Sequence, residues 1–340
     1  MNLVHDFLAQ NRERLELDRH GVPRRLHSIL LTPRFRSSSH VIFLLLPDGG
    51  QHPVLVAKLP RRGGPAPALA REASALQAIQ RRRAAAPGSV PELVALESYR
   101  GQTLLIETAL AGSHLTPAAV RRDHAFAIAA ASEWLLDVHR RSAVASGEDP
   151  TWFARLVERP LDRLEATLGS RSEGARLVER TRNLVDPLRE AALPLVLAHG
   201  DFAHPNLIRF PEGRLGAVDW ELAEMPGLPA GDFFHFLAYA AAARARARGA
   251  QAIASALDRA LHGDHPWARP LLYDYFAAAG LDPAWAPPLI ALTFARNLAD
   301  RLEGVTAAEV APTGDTLNAW LLADRRYALW KQAVLRADAD

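Results

Sequence analysis

Cysteine is absent from the 340 residues, and only two of the 40 basic residues are lysines, Lys58 and Lys331. The first absence excludes a disulfide framework and any thiolate site for zinc or redox chemistry, and it fits a reducing compartment. The second marks a drift of basic positions to arginine, so the lysine kept inside Pro53-Val54-Leu55-Val56-Ala57-Lys58-Leu59-Pro60 asks for a reason. Long apolar runs are also missing. Residues 41–47 and 233–243 are the longest, His235 interrupts the second, and both fall short of the roughly 20 residues of a membrane span. Met1 to Asp6 holds no basic segment leading into an apolar stretch, so neither a leader nor an anchor is expected, and the expected location is the cytoplasm. Charge of one sign is not in excess either. The formal net charge is +2, the arginines are mixed with Asp and Glu, and no basic stripe with interleaved aromatics marks a nucleic-acid surface. Neither a membrane nor a nucleic acid is an expected partner, and the oligomeric state is not legible.

With 49% hydrophobic and 23% charged residues, the chain can bury one sizeable core divided between two lobes. Residues 41–46, the turn Pro47-Asp48-Gly49-Gly50 and residues 54–59 read as a hairpin, and residues 102–108 as a further strand. Between them Leu69, Ala73, Leu76 and Ile79 recur at helical spacing. Arg81-Arg82-Arg83 reads as the solvated end of that helix. From residue 116 onward alanine-rich helical segments follow one another: 125–140, 160–168, 175–192, 233–248, 252–261, 270–279, 288–302 and 316–336. The expected fold class is therefore α+β, with an antiparallel-sheet lobe over residues 1–110 and a mostly helical lobe over 111–340, joined near Gly112.

One strand-like island interrupts the helices, residues 195–220, and it concentrates polar side chains: His199-Gly200-Asp201, Pro205-Asn206 and Val218-Asp219-Trp220-Glu221. A two-residue turn at Glu212-Gly213 sets position 206 opposite position 219. An amide oxygen and a carboxylate converging there, with Asp201 five residues before the Asn, make an all-oxygen site suited to magnesium. Taken singly, each residue has a plain reading as a turn, a cap or a strand end. Together they keep the order and spacing of the protein-kinase catalytic loop, His-x-Asp, four residues, Asn, then a strand ending in a metal-binding Asp.

With glycine in place of the arginine of the kinase triplet, this constellation resembles the aminoglycoside phosphotransferase and choline kinase family of protein-kinase-like enzymes. The resemblance implies a bilobal kinase-like fold, ATP with Mg2+ (GTP stays open as donor), and phosphoryl transfer to the hydroxyl of a small-molecule acceptor. It implies that Asp201 orients or deprotonates that hydroxyl and that Asn206 and Asp219 hold metal. His199 would be structural, and Asp232, at the head of the next helix, would steady the catalytic loop or simply cap its helix.

The first lobe carries the same idea. Glu72 falls on the apolar stripe of its helix, where a carboxylate needs a partner, and Lys58 on the neighbouring strand supplies one; the kinase fold asks for such a pair at the phosphates. The segment 104–112 resembles the family's hinge, with Glu107 offering a carbonyl and Ala109 an amide to the base. A departure lies at residues 32–40, Thr-Pro-Arg-Phe-Arg-Ser-Ser-Ser-His, which hold no glycine where a phosphate-covering loop is expected. There Ser38 and Ser39, with Arg34 or Arg36, are the candidate phosphate contacts. Small-molecule kinase is the leading reading. An enzyme modifying a peptide, protein or glycan, and a nucleotide-binding pseudokinase, are the alternatives. Glu221, Glu224, Asp300 and Glu303 are candidates for a cationic acceptor, and Arg244, Arg246 and Arg296 for an anionic one.

Overall fold

Alternating apolar residues in the amino-terminal third build a single antiparallel sheet. The computed structural model describes residues 3–31, 40–61, 66–169, 172–307 and 315–337. The first elements are α1 (Leu3–Gln10), β1 (Leu26–Leu31), β2 (His40–Pro47), β3 (Leu55–Pro60), α2 (Pro67–Arg82), β4 (Leu93–Tyr99), β5 (Gln102–Thr108) and β6 (Ser113–His114). The sheet order is β1-β2-β3-β5-β4. One face carries Ala57, Leu104 and Ile106 onto the core that α1 supplies with Val4, Phe7 and Leu8. Leu105 points the other way, onto Leu69 and Ala73 of α2. Because side chains alternate along a strand, the register Lys58↔Leu105 puts Lys58 on the α2 face, and the pair Val56↔Glu107 puts Glu107 on that face too.

The helical part runs α3 (Pro117–Arg122), α4 (His124–Ser142), β7 (Val144–Ala145), α5 (Arg159–Leu168), α6 (Glu173–Val185) and β8 (Pro194–Ala198). After the short hairpin β9 (Leu207–Arg209) and β10 (Leu215–Ala217) come β11 (Glu224–Gly227), α7 (Gly231–Ala245), α8 (Ala250–His262), α9 (Ala268–Ala278), α10 (Ala286–Ala307), α11 (Asp315–Ala323) and α12 (Arg325–Ala337). The helix expected over residues 316–336 is in fact two. They part at Asp324, whose carboxylate accepts the Arg326 amide at 2.7 Å and so caps α12. Among the described residues no helix is long and apolar enough to cross a membrane.

Two compact units result, Met1–His114 with Pro205–Ala223, and Leu115–His204 with Glu224–Asp340. The division expected at residue 110 had assigned the β9–β10 hairpin to the helical lobe, whereas its contacts lie with the sheet unit. The reason is local: β9 pairs with β6 through Ser113↔Arg209 and His114↔Ile208, and the Ala217 amide donates to the Ser89 carbonyl at 2.9 Å. Gly112 allows the first contact, since a Cβ there would stand 2.5 Å from the Arg209 carbonyl oxygen and 2.6 Å from Ile208. Gly112→Ala is expected to cost about 1–3 kcal/mol, as overpacking of a close backbone approach does, read as a lowered urea midpoint.

Candidate active site

Lys58 is the centre of a buried ionic cluster in the sheet unit. It is 3% exposed, and its Nζ lies 2.6 Å from Glu72 Oε1, 3.3 Å from Glu107 Oε1 and 3.6 Å from Asp219 Oδ1. Burial works against the ammonium, but Glu107, Glu72 and Asp219 together outweigh it and hold its pKa above the ordinary value. Glu72, fully buried on α2, uses the same Oε1 twice, accepting the Lys58 ammonium and the Trp220 amide at 3.1 Å. Thus the residue after Asp219 is tied to the lysine through one oxygen. One ammonium faces three carboxylates, and Glu72 Oε2, Glu107 Oε2 and Asp219 Oδ1 are buried without a hydrogen-bond partner among the described residues. Orphaned oxygens and surplus negative charge are what a divalent cation would relieve.

The hairpin differs from the expected register by one residue. Its pairs are Leu215↔Arg209, Gly216↔Ile208 and Ala217↔Leu207, and the Val218 amide donates to the Asn206 carbonyl at 2.9 Å. Asn206 is therefore opposite Val218 and not Asp219. The loop has three residues, closed by the Gly213 amide on the Phe210 carbonyl at 3.0 Å, with Gly213 at φ 91; a turn followed by a left-handed glycine is the usual three-residue form. Asp219 has φ 70, an uncommon conformation for a residue other than glycine, which ends the strand alternation at the carboxylate. Asn206 is 5% exposed. Two residues on, burial first and then the charge of Asp219 push the Glu221 carboxyl up to about 7.

In the helical unit, Asp201 follows β8 on a loop held by Asp232. The two Asp232 oxygens accept the His199 amide at 2.6 Å and the Gly200 amide at 2.9 Å, and Gly200 takes φ 86. Burial raises the pKa of Asp232, against the pull of His199 and of those two amides. Beneath the loop Phe202 stacks on Trp134 with centroids 5.0 Å apart. Asp201 keeps about a third of its side chain open and lies 3.8 Å from His235 Nδ1. His235, on α7, is held neutral, its pKa lowered to about 4 chiefly by burial, and its Nε2 meets Asn297 of α10. His199 is buried and its Nδ1 accepts the Asp201 amide at 3.3 Å.

The structure brings Lys58, Glu72, Glu107 and Asp219 together, and separately Asp201, His199 and Asp232. Ser38 and Ser39, like Arg34 and Arg36, lie outside the described residues. The expected hinge contacts need correction. The Ala109 amide is already used by the Val54 carbonyl at 3.0 Å, and Glu107 sits inside β5, paired on one side with Val56 and on the other with Leu93. Its contribution is a side chain in the Lys58 cluster and not a backbone edge. The signal for this was present, since a strand residue diagonal to a buried lysine on the same face is within its reach. Three of the four acidic candidates for a cationic acceptor are paired with arginines: Glu224 with Arg296, Asp300 at 3.3 Å and Glu303 both with Arg163. His235, 3.8 Å from Asp201, was not singled out as a site residue from the sequence.

Glu107 makes stability depend on pH. Burial, first, raises its pKa from 4.5 to about 7, overcoming the attraction of Lys58, while Glu72 and Asp219 push the same way. An acid whose folded pKa is raised binds more protons folded than unfolded, so stability falls as pH rises between 4.5 and about 7 and is flat above that window. Glu107→Gln removes this dependence. The variant is expected to gain on the wild type in melting temperature from pH 5 to pH 8, and an advantage unchanged across that range counts against the assignment.

The sequence profile described as the phosphotransferase enzyme family matches residues 34–271, more than half of the chain. No curated protein matches the chain in sequence. Among solved structures, the choline kinase LicA of Streptococcus pneumoniae superposes with a TM-score of 0.54 at 10% identity, covering 96% of this chain and 99% of its own. A putative fructosamine-3-kinase from Haemophilus somnus 129PT gives 0.51 at 11% identity, covering 95% of each chain. At such identity these likenesses speak for the fold alone, the α+β protein-kinase-like fold. With the profile spanning both the Lys58 strand and the Asp201 loop, the chain belongs to the phosphotransferase enzyme family.

Proposed function

We propose that the protein is an ATP- and Mg2+-dependent kinase that transfers the γ-phosphoryl group to a hydroxyl of a small molecule. The observation that carries this reading is Lys58 held at 2.6 Å from Glu72 with Asp219 3.6 Å away, three residues from separate segments in the arrangement that phosphate binding requires. The choline kinase with the same fold has also been solved in complex with AMP.

In this reading Lys58 holds phosphate oxygens as a compact point charge, and Glu72 keeps the ammonium aimed. Asn206 and Asp219 would hold the metal, which supplies charge neutralisation on the phosphates. The donor set fits: one amide and one carboxylate oxygen, with Asp219 Oδ1 buried and unpartnered among the described residues. Magnesium commonly takes one or two carboxylates and completes its shell with water and substrate phosphate. Asp201 orients the acceptor hydroxyl and takes its proton as the new oxygen–phosphorus bond forms and the nucleoside diphosphate leaves. Positioning and charge neutralisation supply most of the rate in such transfers, so no covalent intermediate on the protein is needed. His199 and Asp232 hold the loop that presents Asp201.

The test is a phosphate-transfer screen with ATP and GTP over sugars, amino alcohols, hydroxy acids, nucleosides, antibiotics and peptides, with Asp201→Asn as the blank. Transfer to a small hydroxyl compound above the blank is expected. Transfer to peptides alone, or nucleotide binding with no turnover on any acceptor, would overturn the reading.

A further inference from the structure

Lys58 is held by more than the one carboxylate that a phosphate-binding lysine needs. Glu72 of α2 accepts its ammonium at 2.6 Å, which is the pair that phosphate binding in this fold asks for. The neighbouring strand adds a second: Glu107 Oε1, on β5, stands 3.3 Å from the same Nζ. The side chains of Lys58 and Glu107 are 4% and 3% exposed, so little water screens their attraction. Neither inner carboxylate can readily withdraw. Glu107 is fixed by strand pairing on both sides, with Val56 and with Leu93, and Glu72 is committed to the Trp220 amide as well. Asp219 Oδ1, at 3.6 Å, belongs to the most open of the three acids, with 36% of its side chain exposed. All four residues lie in the sheet unit.

An ammonium has three N–H donors, and three carboxylates stand around this one. A phosphate oxygen that takes the ammonium therefore competes with anions already in place. A fixed carboxylate about 6–7 Å from a bound phosphate also repels it, by an amount worth about tenfold or more in affinity where water is scarce. We propose that Glu107 is a positioning residue for the transfer: it draws the Lys58 ammonium toward β5, weakens its hold on the nucleotide phosphates and so hastens release of the nucleoside diphosphate. The inference rests on Lys58 being the phosphate-binding lysine. With Glu72 as its sole inner partner, the same lysine would keep the product longer.

Calorimetry with ADP and Mg2+ at pH 8, above the range in which Glu107 titrates, reads the effect without turnover. Glu107→Gln keeps the shape of the side chain and an oxygen acceptor, and it is expected to tighten ADP binding about tenfold. Release of a fluorescent ADP analogue slows by a similar factor, since differences of this kind reside mostly in the dissociation rate. KM for ATP falls with it, and kcat does not rise. The sign separates this role from a structural one, because loss of a mere support for Lys58 weakens binding. Glu107→Asp keeps the charge and stays closer to the wild type than Glu107→Gln does. Glu97→Gln, which removes an equal charge from β4 beside Arg14, leaves ADP binding unchanged. Melting curves establish that each variant is folded before it is titrated. The proposal is overturned if Glu107→Gln binds ADP no more tightly than the wild type, or if Glu107→Asp tightens binding as much. Failure of the underlying reading is a separate result: Lys58→Arg would then transfer as well as the wild type. Loss of transfer in Lys58→Arg beside unchanged ADP affinity in Glu107→Gln removes the positioning role alone.

Discussion

Asp201→Asn binds nucleotide as tightly as the wild type and transfers phosphate about 10²–10⁴-fold more slowly, the range a positioned general base contributes. The substitution keeps the shape of the side chain and removes only its capacity to take a proton. The loop is held from elsewhere, by the two Asp232 bonds to the His199 and Gly200 amides and by Phe202 on Trp134, so its path does not depend on the Asp201 charge. With about a third of the side chain open to solvent, losing that charge moves the melting temperature little. A steady-state assay beside a nucleotide-binding titration separates the two effects. Retention of more than a tenth of wild-type kcat would remove Asp201 from the reaction.

Lys58→Met strikes both stability and activity. It leaves Glu72, Glu107 and Asp219 facing one another without a cation, and stranding a buried charge in this way costs about 3–5 kcal/mol. The loss depends on pH with a definite sign. Carboxylates deprived of the ammonium hold protons more readily folded than unfolded, so the deficit is greatest at pH 8 and shrinks toward pH 5. Denaturant melts at those two values test it. Lys58→Arg is the informative partner. It keeps a cation in the cluster and folds, but a planar fork cannot replace a compact ammonium between a helix carboxylate and phosphate oxygens, and most transfer is lost. Lys331, half-buried and paired with Glu173 at 2.7 Å, tolerates arginine without effect, as an ion pair near the surface contributes little. Full activity of Lys58→Arg would sink the phosphate role while leaving Asp201 untouched.

Several of these features are legible in the sequence. A glutamate on the apolar stripe of α2 had to be buried and had to have a partner, and one lysine in an arginine-rich chain stood within reach. The spacing from His199 to Asp219 marked a loop followed by a hairpin, because hairpin geometry is local. What was missed depended on choices a sequence does not settle. Whether Gly213 closes a two- or three-residue loop moves the register by one, and with period-two alternation a single step exchanges the faces. Glu107 reads equally as a hinge residue or a core residue until the pairing of β5 on both sides is known. Asp324, which ends one helix and starts the next, looked like any polar residue in a long helical pattern.

The shared oxygen of Glu72 also shapes how this protein can change. Because one atom accepts both the Lys58 ammonium and the Trp220 amide, losses on the strand and losses at the hairpin end are not independent. Once either donor is gone, removing Glu72 forfeits less than it would in the intact protein, and combined substitutions fall short of the sum of their parts. A lineage drifting at one of these positions would therefore find the others released from selection, and decay of the cluster, once begun, would run to completion.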